Sequence, residues 1–316
     1  MNELRIFRYR LLNTLHTVLL LAAIATLAGF LGWWLFGEGG VVWAGVIAAL
    51  TLALSPRVSP RWILRASGAR ELALREAPAL HRLVQLLAER AGLAHAPRLY
   101  YLPTRVLNAF ATGSVHESAV TVTDGLLRAM TLRELAGVLA HEIAHVRGHD
   151  LWVMSLADVV GRLTALLSML GQALLIVMLP LSVLRGTALP LLPIMALIFA
   201  PTISLLLQLA LARTREYYAD IVAAELTGDP AGLASALDKL ERLQGGWMER
   251  MFMADARIPH WLRTHPRTQE RVRRLMALGP RTPLIPELAM PARADAIFDM
   301  PVIARRPSWH WHGLWH

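Results

Sequence analysis

The sequence predicts an α+β chain, mostly helical, held in a membrane by about four transmembrane helices and carrying a soluble domain with a small β-sheet. Three observations predict it. Of the 316 residues, 55% are hydrophobic and only 17% are charged, too apolar for an ordinary soluble globule. The apolar residues gather in runs long enough to cross a bilayer, and arginines flank those runs. Between the runs lies Ala140-His141-Glu142-Ile143-Ala144-His145-Val146-Arg147-Gly148-His149-Asp150, in which two histidines stand four residues apart.

Composition narrows the chemistry. Cysteine is absent, so disulfides and thiolate chemistry are excluded, and a metal site must use His, Asp or Glu. The net charge is +9, almost all of it arginine, because Lys239 is the sole lysine. No nucleic-acid-binding motif accompanies this charge. The arginines sit beside apolar runs, which makes the lipid bilayer the expected partner, and no nucleic acid is expected.

Arg5, Arg8 and Arg10 precede an apolar run from Leu11 to Phe36, long enough to span and too long for a cleavable signal peptide. Gly37 to Gly40 make a turn, and Val41 to Leu54 is a second run. Together they read as a transmembrane hairpin over residues 1–56. Arg57, Arg61, Arg65 and Arg70 follow, whereas the Gly-rich turn carries no Lys or Arg. Positive-inside bias then places the N-terminus and the chain after Pro56 in the cytoplasm, at the inner (plasma) membrane.

Residues 57–150 form the first part of the soluble domain. Glu71 to Gly92 reads as an amphipathic helix, with Leu80, Leu83, Val84 and Leu87 at helical spacing. Pro97 to Leu102, Val106 to Thr112 and Ala119 to Thr123 read as strands. Thr131 to Asp150 is a helix, opened by a capping box of Thr131 and Glu134. Residues 151–212 form a second transmembrane hairpin, turning at Arg185, Gly186 and Pro190, with Pro193 and Pro201 expected to kink its second helix. Residues 213–280 return to the soluble domain. There Pro230 to Gln244 is a helix broken by Gly245-Gly246, Trp247 to Trp261 a methionine-rich segment, and Thr268 to Leu278 a basic helix. Residues 281–316 are a proline-rich tail ending in alternating Trp and His, to which no role is assigned.

On a helix His141 and His145 lie one turn apart on one face, so two imidazole nitrogens can meet one cation. Glu142 points about 100° away, which suits a base acting on water better than a ligand. This is the zincin arrangement. Catalytic zinc takes three protein ligands. The third is expected from Arg213-Thr-Arg-Glu216-Tyr-Tyr-Ala-Asp220, where Glu216 can ligate and Asp220, one turn on, can accept a hydrogen bond from a ligand histidine. The alternative is a solvated helix face on which Arg213 or Arg215 pairs with Glu216. His149 continues the face of His141 and His145 but lies four residues, about 6 Å along the axis, beyond His145, which disfavours it as a ligand. His116 and His260 have no partner motif.

HEIAHVRGHD followed by REYYAD resembles the HtpX-type membrane zinc metalloproteases and their relatives, the CAAX prenyl endopeptidases. Asn108-Ala-Phe-Ala-Thr-Gly113 and Thr264-His265-Pro266 resemble two further segments of the family, in the same order, and the likeness covers roughly residues 1–277. It implies that His141, His145 and Glu216 bind one Zn2+, that Glu142 is the catalytic base, and that Asp220 lies behind the ligands. It further implies that His265 and Arg271 face the reacting carbonyl, and that the strand at Asn108, Ala109, Phe110 and Ala111 holds substrate. The implied function is a zinc endopeptidase acting on polypeptide substrates, chiefly membrane or misfolded proteins, in quality control. Competing readings are a prenyl-protein endopeptidase and a non-catalytic membrane metal sensor or scaffold. Against an intramembrane site stand Arg128, Arg133, Glu134, Arg147 and Asp150.

Overall fold

The structure is a computed structural model that describes residues 3–54, 64, 68–114, 117–186, 191–252 and 268–279. Helices α1 (Glu3–Phe36) and α2 (Glu38–Leu54) open the chain. Strand β1 (Arg70–Glu71), helix α3 (Pro78–Arg90) and strands β2 (Arg98–Leu102), β3 (Ala109–Gly113) and β4 (Ser118–Thr123) follow. Next come helices α4 (Asp124–Ala129), α5 (Leu132–Arg147), α6 (Asp150–Arg185) and α7 (Leu191–Thr227). Helices α8 (Pro230–Phe252) and α9 (Thr268–Met276) complete the described chain.

Among the described residues, three helices are long and apolar enough to cross a membrane, over Thr14–Trp34, Trp152–Pro180 and Ile194–Thr227. The expected fourth, α2, has 17 residues and rises about 25 Å, just short of a bilayer core of about 30 Å. Two small apolar clusters join these helices. Ile24 and Ala28 of α1 pack against Val153, Ala157 and Val160 of α6 and Leu211 of α7. Leu31 and Ala44 pack against Leu163, Leu167, Leu197 and Ala200. The outward faces carry exposed Val18, Leu19, Ile176, Val183, Ile198 and Phe199, an arrangement suited to hydrocarbon and not to water.

The soluble part is a four-stranded sheet in the order β1-β2-β4-β3 with helices packed on it. β2 and β4 run parallel, and β3 returns antiparallel to β4 with Phe110 opposite Thr121. β4 is buried along its whole length, as a central strand should be, which leaves β3 at the edge. Leu135, Ala136, Leu139, Ala140, Ile143 and Ala144 of α5 are fully buried in the core beneath it, with α3, α7 and α8 around them.

The predicted capping box is present. Thr131 Oγ accepts from the Glu134 N–H at 3.2 Å, and Glu134 Oε2 accepts from the Thr131 N–H at 2.8 Å. Glu134 also accepts from Lys239 at 2.6 Å and Ser235 at 2.7 Å, which ties the start of α5 to α8.

Four local expectations change. The helix expected from Glu71 starts at Pro78, because residues 70–71 pair with β2 and proline suits a first helical position. The strand expected from Val106 begins at Ala109. α8 runs through Gly245-Gly246 to Phe252, since each glycine costs a helix only about 1 kcal/mol. The helix expected from Thr131 to Asp150 stops at Arg147. Gly148 caps it, His149 has φ +55°, and α6 starts afresh at Asp150. Beyond the second hairpin, by contrast, α7 is continuous through Arg213 and Glu216. Pro201 lies inside it, and Pro193 sits in its first turn, where a missing N–H is tolerated.

Candidate metal centre

α5 brings His141 and His145 to one face, with their Nε2 atoms 3.0 Å apart. Two ring nitrogens at this distance need a proton or a cation between them. Glu216 arrives from α7 with Oε2 at 3.5 Å from His141 Nε2 and Oε1 at 3.8 Å from His145 Nε2. Ligand atoms arranged tetrahedrally around zinc lie about 3.3 Å from one another, given bond lengths of about 2.0–2.1 Å. The three observed separations scatter about that value. Among the described residues these three side chains form the group whose ligand atoms all lie within 4.8 Å of one another. Two neutral nitrogens and one carboxylate are a donor set that fits a borderline divalent cation such as zinc.

Behind each histidine stands a carboxylate. His141 Nδ1 lies 3.1 Å from Asp220 Oδ1, as the spacing of Glu216 and Asp220 on one helix predicts. His145 Nδ1 donates to Asp150 Oδ2 at 2.5 Å. Burial lowers the pKa of both imidazoles. For His145 burial prevails and brings the pKa to about 4, so the ring is neutral at pH 7. For His141 the nearby oxygens of Asp220 and Glu216 outweigh burial and raise the pKa to about 9. The site therefore attracts positive charge at His141, whether a proton or a metal ion.

Glu142 projects to the side, as predicted. Its Oε2 accepts from the backbone N–H of Ala111 on β3 at 3.0 Å. This N–H therefore points into the cleft, and the edge strand runs alongside the base. The cleft is a cavity of 550 Å³ whose lining includes Asn108, Ala109, Phe110, His141, Glu142, His145, Glu216 and Arg271. Its far wall is apolar, built by Leu126, Val138, Leu233, Leu237 and Leu240.

Arg271 lines the cleft, yet its guanidinium is engaged by protein carboxylates. Nε and Nη2 grip Asp220 at 2.8 and 2.7 Å, and Nη1 lies 2.9 Å from Glu216 Oε2. The guanidinium holds two acids beside His141 while it lines the cleft. His265, expected as its companion, lies outside the described residues, as do His116, His260 and the tail. Arg215, which the alternative reading set beside Glu216, is ion-paired with Asp150. His149, at its left-handed turn, is not part of the three-ligand group. The contact of Asp150 with His145 escaped sequence reasoning. Five positions along a regular helix is about 140° around the axis, and no local signal marks the turn that closes that gap.

The sequence pattern of Peptidase family M48 matches residues 74–278, which include strands β2 to β4, the ligand-bearing parts of α5 and α7, and α9. The chain belongs to that family. Its relatives match most of this chain and nearly the full length of their own. It is 36% identical over 278 residues to a protein of Pyrococcus furiosus called Protease HtpX homolog, covering 84% of this chain and 95% of the relative. Proteins of the same name from Sulfurihydrogenibium sp. and Acaryochloris marina are 34% and 36% identical, covering 84% and 88% of this chain and 96% and 99% of theirs. Among solved structures, the chain is similar to the crystal structure of S. mikatae Ste24p, with a TM-score of 0.48 and 16% identity, over 85% of this chain and 66% of that one. The family and the spanning helices make this an HtpX-like membrane metalloprotease.

Proposed function

We propose that the chain is a zinc-dependent endopeptidase that cuts membrane or misfolded proteins at the cytoplasmic face of the cell membrane. The observation that carries this reading is the carboxylate of Glu142, poised between His141, His145 and Glu216 on one side and the edge of β3 on the other.

His141, His145 and Glu216 would hold the metal. Zinc supplies Lewis acidity, which lowers the pKa of water to about 7 and polarises a carbonyl. The remaining chemistry belongs to the chain. An extended substrate adds to the edge of β3 along Asn108, Ala109, Phe110 and Ala111, with main-chain hydrogen bonds that fix its direction. Glu142 Oε2 takes the proton of the attacking water and returns it to the departing amine. Arg271 keeps Asp220 and Glu216 in place and screens their charge, so that His141 presents Nε2. The apolar wall of Leu126, Val138, Leu233, Leu237 and Leu240 accepts an apolar side chain of the substrate and keeps water from the reacting bond. Arginines beside the apolar runs support the cytoplasmic orientation. α7 carries Glu216 on the same helix as a candidate span, which supports membrane proteins as substrates.

The test is cleavage of casein and of an unfolded membrane protein by the detergent-purified chain, with and without zinc, beside Glu142→Gln. The expected result is zinc-dependent cleavage by the wild type, falling by about 10²–10⁴ in the variant, while both proteins retain one zinc per chain. Two zinc-loaded proteins of equal activity, or none, would overturn the reading.

A further inference from the structure

The two histidines are supported in parallel. His141 rests on Asp220, which is gripped by Arg271. His145 rests on Asp150, which is ion-paired with Arg215. The spacing of Glu216 and Asp220 on one helix accounts for the carboxylate behind His141. The one behind His145 has no assignment, and we infer that Asp150, held by Arg215, is a positioning residue that fixes the ring and tautomer of His145 for metal binding. This inference rests on the reading of His141, His145 and Glu216 as the metal centre.

Several independent features converge on it. Asp150 and Arg215 are 3% and 7% exposed. Burying an ion pair costs several kcal/mol of desolvation per ion, so such a pair is a poor device for stability alone. The backbone is arranged around it. On a regular helix Asp150 would point about 140° away from His145. The left-handed conformation of His149 breaks α5 and returns the carboxylate to the ring. Left-handed backbone costs a non-glycine residue about 1 kcal/mol or more. Gly148 is fitted to the same arrangement. A Cβ there would stand 2.6 Å from Arg215 Nη2 and 2.7 Å from Asp150 Oδ1. Arg215 Nη2 also donates to the Gly148 carbonyl at 2.6 Å, which locks the break in place. Finally, Asp150 begins α6, where the helix dipole favours a carboxylate.

The consequence for binding follows from tautomer chemistry. A carboxylate only accepts, so Nδ1 of His145 must carry the proton and Nε2 must offer its lone pair toward Glu216 and His141. Both supporting residues lie at the soluble ends of the second hairpin, Asp150 at the start of α6 and Arg215 on α7. The orientation of His145 is thereby tied to the closure of α6 on α7.

The test measures metal binding and not turnover. Detergent-purified full-length protein in the Glu142→Gln background is titrated with zinc against a chromophoric chelator, beside Asp150→Asn, Arg215→Gln and Asp158→Asn. Asp158→Asn breaks an exposed ion pair with Arg162 about two turns further along α6. Asp150→Asn is expected to weaken zinc binding about 10- to 100-fold, Arg215→Gln to weaken it less, and Asp158→Asn to leave it unchanged. The cobalt-loaded Asp150→Asn protein should show an altered visible spectrum, which a merely structural substitution away from the ligands would not produce. Zinc affinity within twofold of the parent in Asp150→Asn, or an equal loss in Asp158→Asn, overturns the positioning role while leaving the metal centre intact. A parent that binds no zinc overturns the metal centre and this inference with it. If Asp150→Asn does not fold, Arg215→Gln decides by the same criteria.

Discussion

Helix α5 buries Leu135, Ala136, Leu139, Ala140, Ile143 and Ala144 completely, whereas the membrane half of α7 leaves Met195, Ile198, Phe199, Ile203 and Leu205 exposed. Both helices deliver ligands to one centre. α5 is a 16-residue helix capped at its start and packed in a water-facing domain. α7 is a 37-residue helix that rises about 55 Å, enough to cross a bilayer and continue into the site. The difference teaches where the precision of the centre comes from. His141 and His145 are placed by hydrophobic burial and close packing on nearly every face of α5. Glu216 and Asp220 are placed by the buried end of α7, where Ala219, Val222 and Ala223 pack in the same core and Arg271 grips both acids, while the other half of the helix turns an apolar face outward.

The sharpest way to break this comparison is to make the same deletion on both helices. Leu139→Ala removes a fully buried side chain from the core under the sheet and should cost about 2–5 kcal/mol. Ile198→Ala trims a residue that is 47% exposed on the apolar surface of α7 and should cost under about 1 kcal/mol, because lipid fills the gap. Thermal or denaturant unfolding in detergent, followed by circular dichroism, reads both. Equal losses would mean that α7 is packed against something as tightly as α5 is.

How far each helix was legible in the sequence follows from the same contrast. In α5 the information is local. Thr131 and Glu134 stand at capping-box spacing, and His141, Glu142 and His145 at zincin spacing, and both are found as read. The stretch from Glu216 to Asp220 was also legible, because one helical turn separates its two carboxylates and both face His141. What was not legible depends on contacts between distant segments. Arg271 grips Asp220 and Glu216 of α7, contacts that no local spacing marks. Asp150 reaches His145 only because His149 takes φ +55°, a choice stabilised by Arg215, more than 60 residues away. Periodicity also misjudged α8, since Gly245-Gly246 weakens a helix without stopping it.

A smaller and finer test uses two helical glycines that each face a neighbouring helix. In α5, a Cβ on Gly137 would stand 2.9 Å from both Cα and N of Leu233, the backbone of α8. Backbone cannot step aside without moving a helix. Gly137→Ala should therefore cost about 1–3 kcal/mol despite the gain in helix propensity of about 1 kcal/mol. In α6, a Cβ on Gly161 would stand 2.2 Å from Gln208 Nε2, 3.0 Å from its Cδ and 3.2 Å from its Oε1. These atoms end a flexible side chain. Gln208 can rotate away at the cost of its hydrogen bond to Ser204 Oγ, which is 3.1 Å long. Hydrogen bonds between side chains in membrane helices average about 0.6 kcal/mol. That loss and the propensity gain nearly cancel, so Gly161→Ala should change stability by no more than about 0.5 kcal/mol. Melting temperatures of the two variants in one detergent give the comparison directly. A marked drop for Gly137→Ala beside an unchanged Gly161→Ala supports a close-packed soluble core against an adjustable membrane pair. The reverse order would place the tight helix contact in the membrane, and the apolar half of α7 would then be packed as closely as its buried end.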